Sequence, residues 1–368
     1  MAREYDIVVY GASGYTGRLV AEYLIGKGAG VAWAMAGRSA AKLAEVRDLI
    51  GAPKSTPLIV ADAEDAIALA AMAQRTRVVL TTAGPYQLYG NSLVDACAQT
   101  GTDYVDLTGE PNWIATMIAR HEATAKQSGA RIVFSCGFDS VPFDLGVLFA
   151  ESEARKKFGL YAPRVRGRVR AIIGGVSGGT LASGAATAAA MKKDRSIAAI
   201  LTNPFALTPG FKGPAQPDLN ATYEDKVTGS WVGPFVMAGI NTKAVHRSNF
   251  LLGHVWGQEF VYDEMMMTNG PDGPPVAGLT MGTFVKPGDG PSKQEREDGF
   301  YDLLCIAEYP DGRTLRACVK GDRDPGYGST AKIISESALC LARDIGRDQT
   351  PGGCWTPAAA MGEALIRR

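Results

Sequence analysis

Residues 8–24 read VVYGASGYTGRLVAEYL, with Gly11, Gly14 and Gly17 at three-residue intervals. Before them runs the apolar, β-branched Ile7-Val8-Val9-Tyr10; after them Leu19, Val20, Tyr23 and Leu24 recur with helical spacing. A strand, a glycine turn and a helix in that order restrict the chain to few folds. The helix N-terminus presents unpaired N–H groups and a positive dipole end, which together make an anion site. Glycine permits the tight turn and lets a pyrophosphate approach the backbone, and Gly17 lets the helix pack closely on the strand. The spacing is G-x-x-G-x-x-G rather than G-x-G-x-x-G, and the Ser13 and Thr16 hydroxyls can add bonds to phosphate. The expected phosphate loop is Gly11, Ser13, Gly14, Tyr15, Thr16 and Gly17.

A second apolar run, 31–43, ends in Gly37-Arg38-Ser39 about 20 residues past the loop, where the dinucleotide fingerprint places its ribose reader. An NAD site would carry Asp or Glu there. Arg38 and Ser39, with Lys42 one helical turn on, suit a 2′-phosphate instead, since guanidinium pairs bidentately with phosphate. The expected cofactor is NADP(H), used as NADPH.

The alternation continues. Strands are expected at 56–63, 77–86, 103–110 and 131–142, separated by an Ala-rich helix through Ala73, a helix stopped at Gly101 and a helix over about 112–128. Such alternation implies right-handed crossovers and a parallel, doubly wound α/β sheet of Rossmann type, with ligands beyond the carboxyl ends of the strands. Those ends carry Asp62, Thr82-Ala83-Gly84-Pro85, Gly109-Glu110 and Cys136-Gly137.

After about residue 143 the pattern changes. A helix over 144–158 leads to RVRGRVRAIIGG (164–175), which alternates with period two. Runs 226–240, 254–267 and 302–322 also look like strands, the last with an Asp311-Gly312 hairpin turn. The Pro/Gly-rich stretches 203–217 and 270–291 read as loops, and 329–345 as an amphipathic helix followed by a short final one. The expected organisation is a cofactor domain over 1–142, completed by helices of 329–368, and a second α+β domain over 143–328 with a mainly antiparallel sheet.

Several classes are disfavoured. Lys+Arg and Asp+Glu both number 38, so no net charge draws the chain to nucleic acid. The six cysteines form no C-x-x-C pair and the three histidines have no ligand spacing, so no metal is expected. The uncharged run 171–191 is built of Gly, Ser, Thr and Ala, too weakly apolar for a membrane span. A start without a signal peptide and scattered cysteines point to the cytosol.

GASGYTGRLVAEYL, TAGPYQLYG, CGFDSVPFDLG (136–146) and the C-terminal GDRDPGYGSTAKIISESAL…GGCWTPAAAMGEAL together resemble the saccharopine dehydrogenase-like oxidoreductases, most closely their trans-acting enoyl reductase branch. The resemblance spans nearly the whole chain. It implies an NADP-binding Rossmann domain, a second domain closing over the nicotinamide, and C-terminal helices returning to the first. It carries no catalytic residue across.

Three residues are candidates for chemistry, each with a plainer alternative. Tyr86, after the fourth strand, can donate to substrate or simply pack. Asp139 can act as an acid, although the helix beginning near Val141-Pro142 makes a cap the simpler reading; Glu110, before Pro111, is weighed in the same way. Tyr327 enters the cleft if its glycine-rich loop joins the domains. The small residues of 177–191 suit close helix packing, or room for an acyl chain that Met265-Met266-Met267 could also line. Arg164, Arg166, Arg168 and Arg170 share one face of their strand, either a solvated face or a docking face for an acidic acyl carrier protein. The expected activity is NADPH-dependent reduction of a C=C bond conjugated to a carbonyl. Saccharopine-type imine reduction and a non-catalytic NADP(H) sensor stand as alternatives, and a homodimer as an open assembly state.

Overall fold

The computed structural model describes residues 3–175, 177–274 and 290–368. Its first part keeps the expected alternation: β1 (Tyr5–Tyr10), α1 (Tyr15–Lys27), β2 (Trp33–Gly37), α2 (Ala40–Leu49), β3 (Leu58–Val60), α3 (Ala66–Gln74), β4 (Thr76–Thr81), the single turn α4 (Tyr86–Tyr89), α5 (Asn91–Thr100), β5 (Asp103–Val105), α6 (Pro111–Ser128) and β6 (Arg131–Val133). These strands pair in parallel in the order β6-β5-β4-β1-β2-β3. With both faces covered, they are almost continuously apolar. Ile7 and Val9 face a core shared with α1, while Val8 and Tyr10 face one built with α3, α5 and α6.

The rest of the chain runs α7 (Val141–Phe158), β7 (Arg164–Ile173), α8 (Gly178–Lys193), α9 (Ser196–Thr202), β8 (Tyr223–Asp225), β9 (Ser230–Pro234), α10 (Ala238–Leu251), β10 (Val261–Thr268), α11 (Lys293–Asp298), β11 (Phe300–Glu308), β12 (Thr314–Gly321), a π-helical turn (Pro325–Ser329), α12 (Thr330–Arg343), β13 (Gly353–Trp355) and α13 (Pro357–Arg367). A second sheet has the order β12-β11-β7-β10-β9-β8. It is antiparallel except where β10 runs parallel to β7. The β11–β12 hairpin turns at Gly312 (φ +86°), as its Asp-Gly signal predicts. Of the loop expected at 270–291, residues 275–289 lie outside the described ones.

The structure departs from the sequence reading in three places. The expected strand 226–240 is only β9, and its end belongs to α10. That helix buries Asn241, Thr242, Lys243, His246, Arg247, Ser248 and Asn249, so it has no apolar stripe to announce it. Secondly, α12 and α13 pack against the first sheet, and GGCW between them is a strand. β13 pairs in parallel with β6 and extends the sheet to seven strands.

Thirdly, the arginine strand is not simply a solvated face, because each of its cations is ion-paired. Arg168 is 1% exposed and bonds Asp225 at 2.6 Å and Asp263 at 2.7 Å. Arg164 pairs with Asp263, Arg166 with Glu308 and Arg170 with Asp302. Each cation is met by a carboxylate of the same sheet or its edge.

Removing one member of a buried ion cluster strands the others, typically at about 3–5 kcal/mol. Arg168→Ala should therefore lower unfolding stability by about that much, whereas Arg170→Ala, from a partly exposed pair, should cost about 1 kcal/mol or less. Urea denaturation of the two variants checks this; equal losses would contradict it.

Candidate active site

Gly11 has φ +85°, a left-handed conformation that glycine adopts without strain. A Cβ on Gly17 would lie 2.2 Å from the Gly11 carbonyl oxygen and 2.8 Å from the Ala12 Cα, so α1 meets the turn backbone to backbone. Gly14 occupies the N-cap position and no side chain caps α1, which leaves the N–H groups of its first turn available to an anion. Thr82 Oγ1 donates to the Gly11 carbonyl at 3.4 Å, tying the end of β4 to the same turn. At the end of β2, Arg38 and Lys42 are exposed and make no ion pair among the described residues, while Ser39 Oγ accepts from Lys42 N and caps α2. A glycine cradle that any Cβ would fill and two free cations at the ribose position fit NADP(H).

Other expected cofactor residues also make contacts within the protein. The Tyr15 hydroxyl donates to the Pro291 carbonyl and accepts from Arg296, and its ring meets that of Tyr327 edge-on at 4.9 Å. Asp62, exposed after β3, accepts from Glu64 N at 3.0 Å. Cys136 is buried in the core with its Sγ toward the Val133 carbonyl, and Gly137 alone of that pair reaches the site.

Beyond the strand ends lies a cavity of about 980 Å³. Thr16, Thr82, Gly84 and Gly137 line its end beside the glycine turn. Ser183, Gly184, Ala185, Thr187 and Ala188 of α8 form one wall, and Phe235, Ile240 and Met266 another. Among the described lining residues there is no Lys, Arg or His, and Asp139 is the one charged side chain. The small residues of 177–191 thus line space. No residue of α8 is buried, so close helix packing is not their purpose.

The candidate residues separate clearly here. Tyr86 is a wall residue: its hydroxyl donates to the Thr81 carbonyl and accepts from Leu107 N, both at 3.1 Å, and burial raises it well above an ordinary phenol. Its proton is therefore engaged away from the cavity. The Tyr327 hydroxyl accepts from Gly178 N at 3.0 Å, holding the start of α8, and the ring is absent from the lining. Asp139 does not cap α7. Ser140 holds that position with no side-chain cap bond, and Asp139 has no hydrogen-bond partner among the described residues. Its half-buried carboxyl faces the cavity, and desolvation pushes its pKa up to about 6.

Glu110, weighed as a cap for α6, makes no such bond. Its fully buried carboxylate reaches back to accept from Tyr86 N and Gln87 N, each at 2.9 Å, and from Ser183 Oγ of α8 at 2.7 Å. Beside it Gln87 Nε2 donates to Thr187 Oγ1 at 3.1 Å. The loop after β4 and the cavity wall are joined through this one carboxylate. The sequence reading offers no signal for the wall residues Phe235, Met237, Gly239 and Ile240, because the polar pattern of α10 hides the helix at which that segment ends, nor for Thr330 at the start of α12.

The saccharopine dehydrogenase NADP-binding domain family matches residues 7–133. Over all of its length the chain is 39% identical to a Mycobacterium tuberculosis protein provisionally named a trans-acting enoyl reductase, covering 95% of it. It is 36% identical to the trans-acting enoyl reductase of Mycobacterium leprae, covering 96%. In fold it is similar to apo saccharopine dehydrogenase (L-glutamate forming) of Saccharomyces cerevisiae, with TM-score 0.55 and 11% identity over 99% of this chain and 96% of that one.

Glu110→Ala leaves two backbone donors and one hydroxyl without their acceptor. It should cost about 3 kcal/mol in urea unfolding, whereas Ser183→Ala should cost about 1 kcal/mol. In hydrogen exchange, Ser183→Ala should speed the amides of α8 and leave those of β4 unchanged; equal acceleration of both would contradict the linkage.

Proposed function

Because the chain belongs to the saccharopine dehydrogenase-like oxidoreductases, among the trans-acting enoyl reductases, we propose that this NADP-binding enzyme reduces a C=C bond conjugated to the carbonyl of an acyl-type substrate. The observation that carries this reading is the lining of the cavity. It is large, made of small and apolar side chains, and free of cations among the described residues. A saccharopine-type imine bears several carboxylates and needs inward-facing Arg or Lys; the cavity offers none. An acyl chain needs apolar walls, and the α8 face supplies them. A sensor would have no use for so large a covered space beside the cofactor end.

NADPH, when bound, supplies a hydride to the β-carbon of such a substrate. The chain's own groups do the rest. The first turn of α1 and the glycine loop would hold the pyrophosphate, Arg38 and Lys42 would hold the 2′-phosphate, and the Thr82–Gly84 loop would border the reacting end. As electrons move onto the carbonyl oxygen, the α-carbon becomes basic. Asp139 is the acid in the cavity positioned to give it a proton, and solvent restores the carboxyl. Its unbonded carboxyl and raised pKa support that role. The relatives' name supports a separate protein that holds the substrate.

NADPH should bind more tightly than NADH, and Arg38→Asp should narrow or reverse the preference. One charge-assisted phosphate contact corresponds to on the order of 1.5–3 kcal/mol. Titrating both cofactors into both proteins measures it, and equal wild-type affinities would sink the assignment.

The active form of Asp139 is the acid, so kcat for an α,β-unsaturated thioester should hold below about pH 6 and fall above it. Asp139→Asn should remove that limb and lower kcat by on the order of 10²-fold. Saccharopine should not support NADP⁺ reduction by the same preparation; turnover of saccharopine alone would overturn the reading.

A further inference from the structure

Neither α8 nor α9 contains a buried residue. A helix of this length draws its stability from burying an apolar face, and three glycines (Gly178, Gly179, Gly184) weaken α8 further. One side of α8 lines the cavity, and no described residue buries the other side. Apolar side chains stand exposed around it. Val236, at the cavity mouth, is 71% exposed; Leu88 and Tyr89 of α4 are 59% and 47% exposed. These two follow Gln87, whose amide is bonded to α8. At the C-terminal end of α8, Lys192, Lys193 and Arg195 are exposed and make no ion pair among the described residues. Asp194 is the one acid over 178–202, and its carboxylate accepts from Ser196 N at 2.9 Å.

We propose that this face, apolar at the cavity mouth and cationic at the end of α8, docks on an anionic lipid bilayer with α8 and α9 lying among the headgroups. Exposed aliphatic side chains, a tyrosine and a group of lysines and arginine are what an interfacial element requires. No helix among the described residues is long and apolar enough to cross a membrane, so the contact is superficial. An acidic protein partner would satisfy the cations but leave Val236, Leu88 and Tyr89 in water. A symmetric second copy of the chain would bring like patches together, cations included. The lipid contact does not depend on the proposed reaction, although it would place an apolar acyl substrate beside the mouth of the cavity.

Flotation of the full chain with vesicles tests the surface. The chain should rise with mixed phosphatidylglycerol–phosphatidylcholine vesicles, stay behind with phosphatidylcholine alone, and be released by high salt. Each cation near the surface contributes about fivefold in partitioning, so Lys192→Ala/Lys193→Ala should weaken binding about 25-fold. Leu88→Ser/Tyr89→Ser should weaken it too, while Lys27→Glu, at the far end of α1, should not. Unchanged melting of these variants excludes misfolding as the cause. Failure to float with anionic vesicles overturns the proposal, as does an equal effect of Lys27→Glu. So does a dimer in light scattering that Leu88→Ser/Tyr89→Ser dissolves, or an acidic carrier protein that binds the same lysines when vesicles do not. Flotation without enoyl reduction would refute the proposed reaction and leave the surface standing; reduction without flotation would do the reverse.

Discussion

The contact of Gly17 with the carbonyl of Gly11 is the constraint on which the site is built. With 2.2 Å available where a Cβ would go, α1 approaches the end of β1 as closely as backbone can. That approach aims the uncapped first turn of α1 along the carboxyl edge of the sheet. β1 lies between β2 and β4, so the ribose position after β2 and the loop after β4 fall on either side of the same turn. The cavity begins where those segments end.

Buried carboxylates do the joining, and they divide by how fully they are bonded. Asp106 accepts from the Tyr104 hydroxyl and from the N–H groups of Thr108 and Ser135, fixing the ends of β5 and β6 to each other. Asp144 accepts from Ser248 Oγ and Ala358 N, stitching α7 to α10 and α13. Glu110 links the loop after β4 to α8. Asp139 has no such partners, and it is the one that faces the cavity. A carboxyl held by two or three hydrogen bonds fixes structure; one left unbonded in a desolvated wall is free to exchange a proton.

The second half of the molecule shows why hydrophobic periodicity stops being informative. Inside α10, Arg247 donates to the carbonyls of Leu207 and Cys354, Lys243 to those of Leu201 and Gly239, and Asn241 to Glu264. Apart from the local Lys243–Gly239 bond, these partners lie 23 to 107 residues away in sequence. No local pattern can foretell that, and so α10 reads as the tail of a strand. β7 misleads in the opposite way. Its arginines alternate as surface residues do, but Asp225 and Asp263 arrive from other strands to bury Arg168 between them.

What the sequence determined by itself is the part governed by neighbouring residues. The glycine turn, the alternating strands and helices, the parallel sheet, the free Arg38 and Lys42 and the small-residue run of 177–191 are all local chemistry, legible from spacing. The tertiary structure decided the part governed by distant partners. It added β13 to the sheet, withdrew the Tyr86 and Tyr327 hydroxyls into structural bonds, turned Glu110 from a cap into a link, and left Asp139 alone at the cavity. A hydrogen bond or ion pair formed across a hundred residues leaves no periodic trace in the chain, because its geometry exists only once both ends have been brought together.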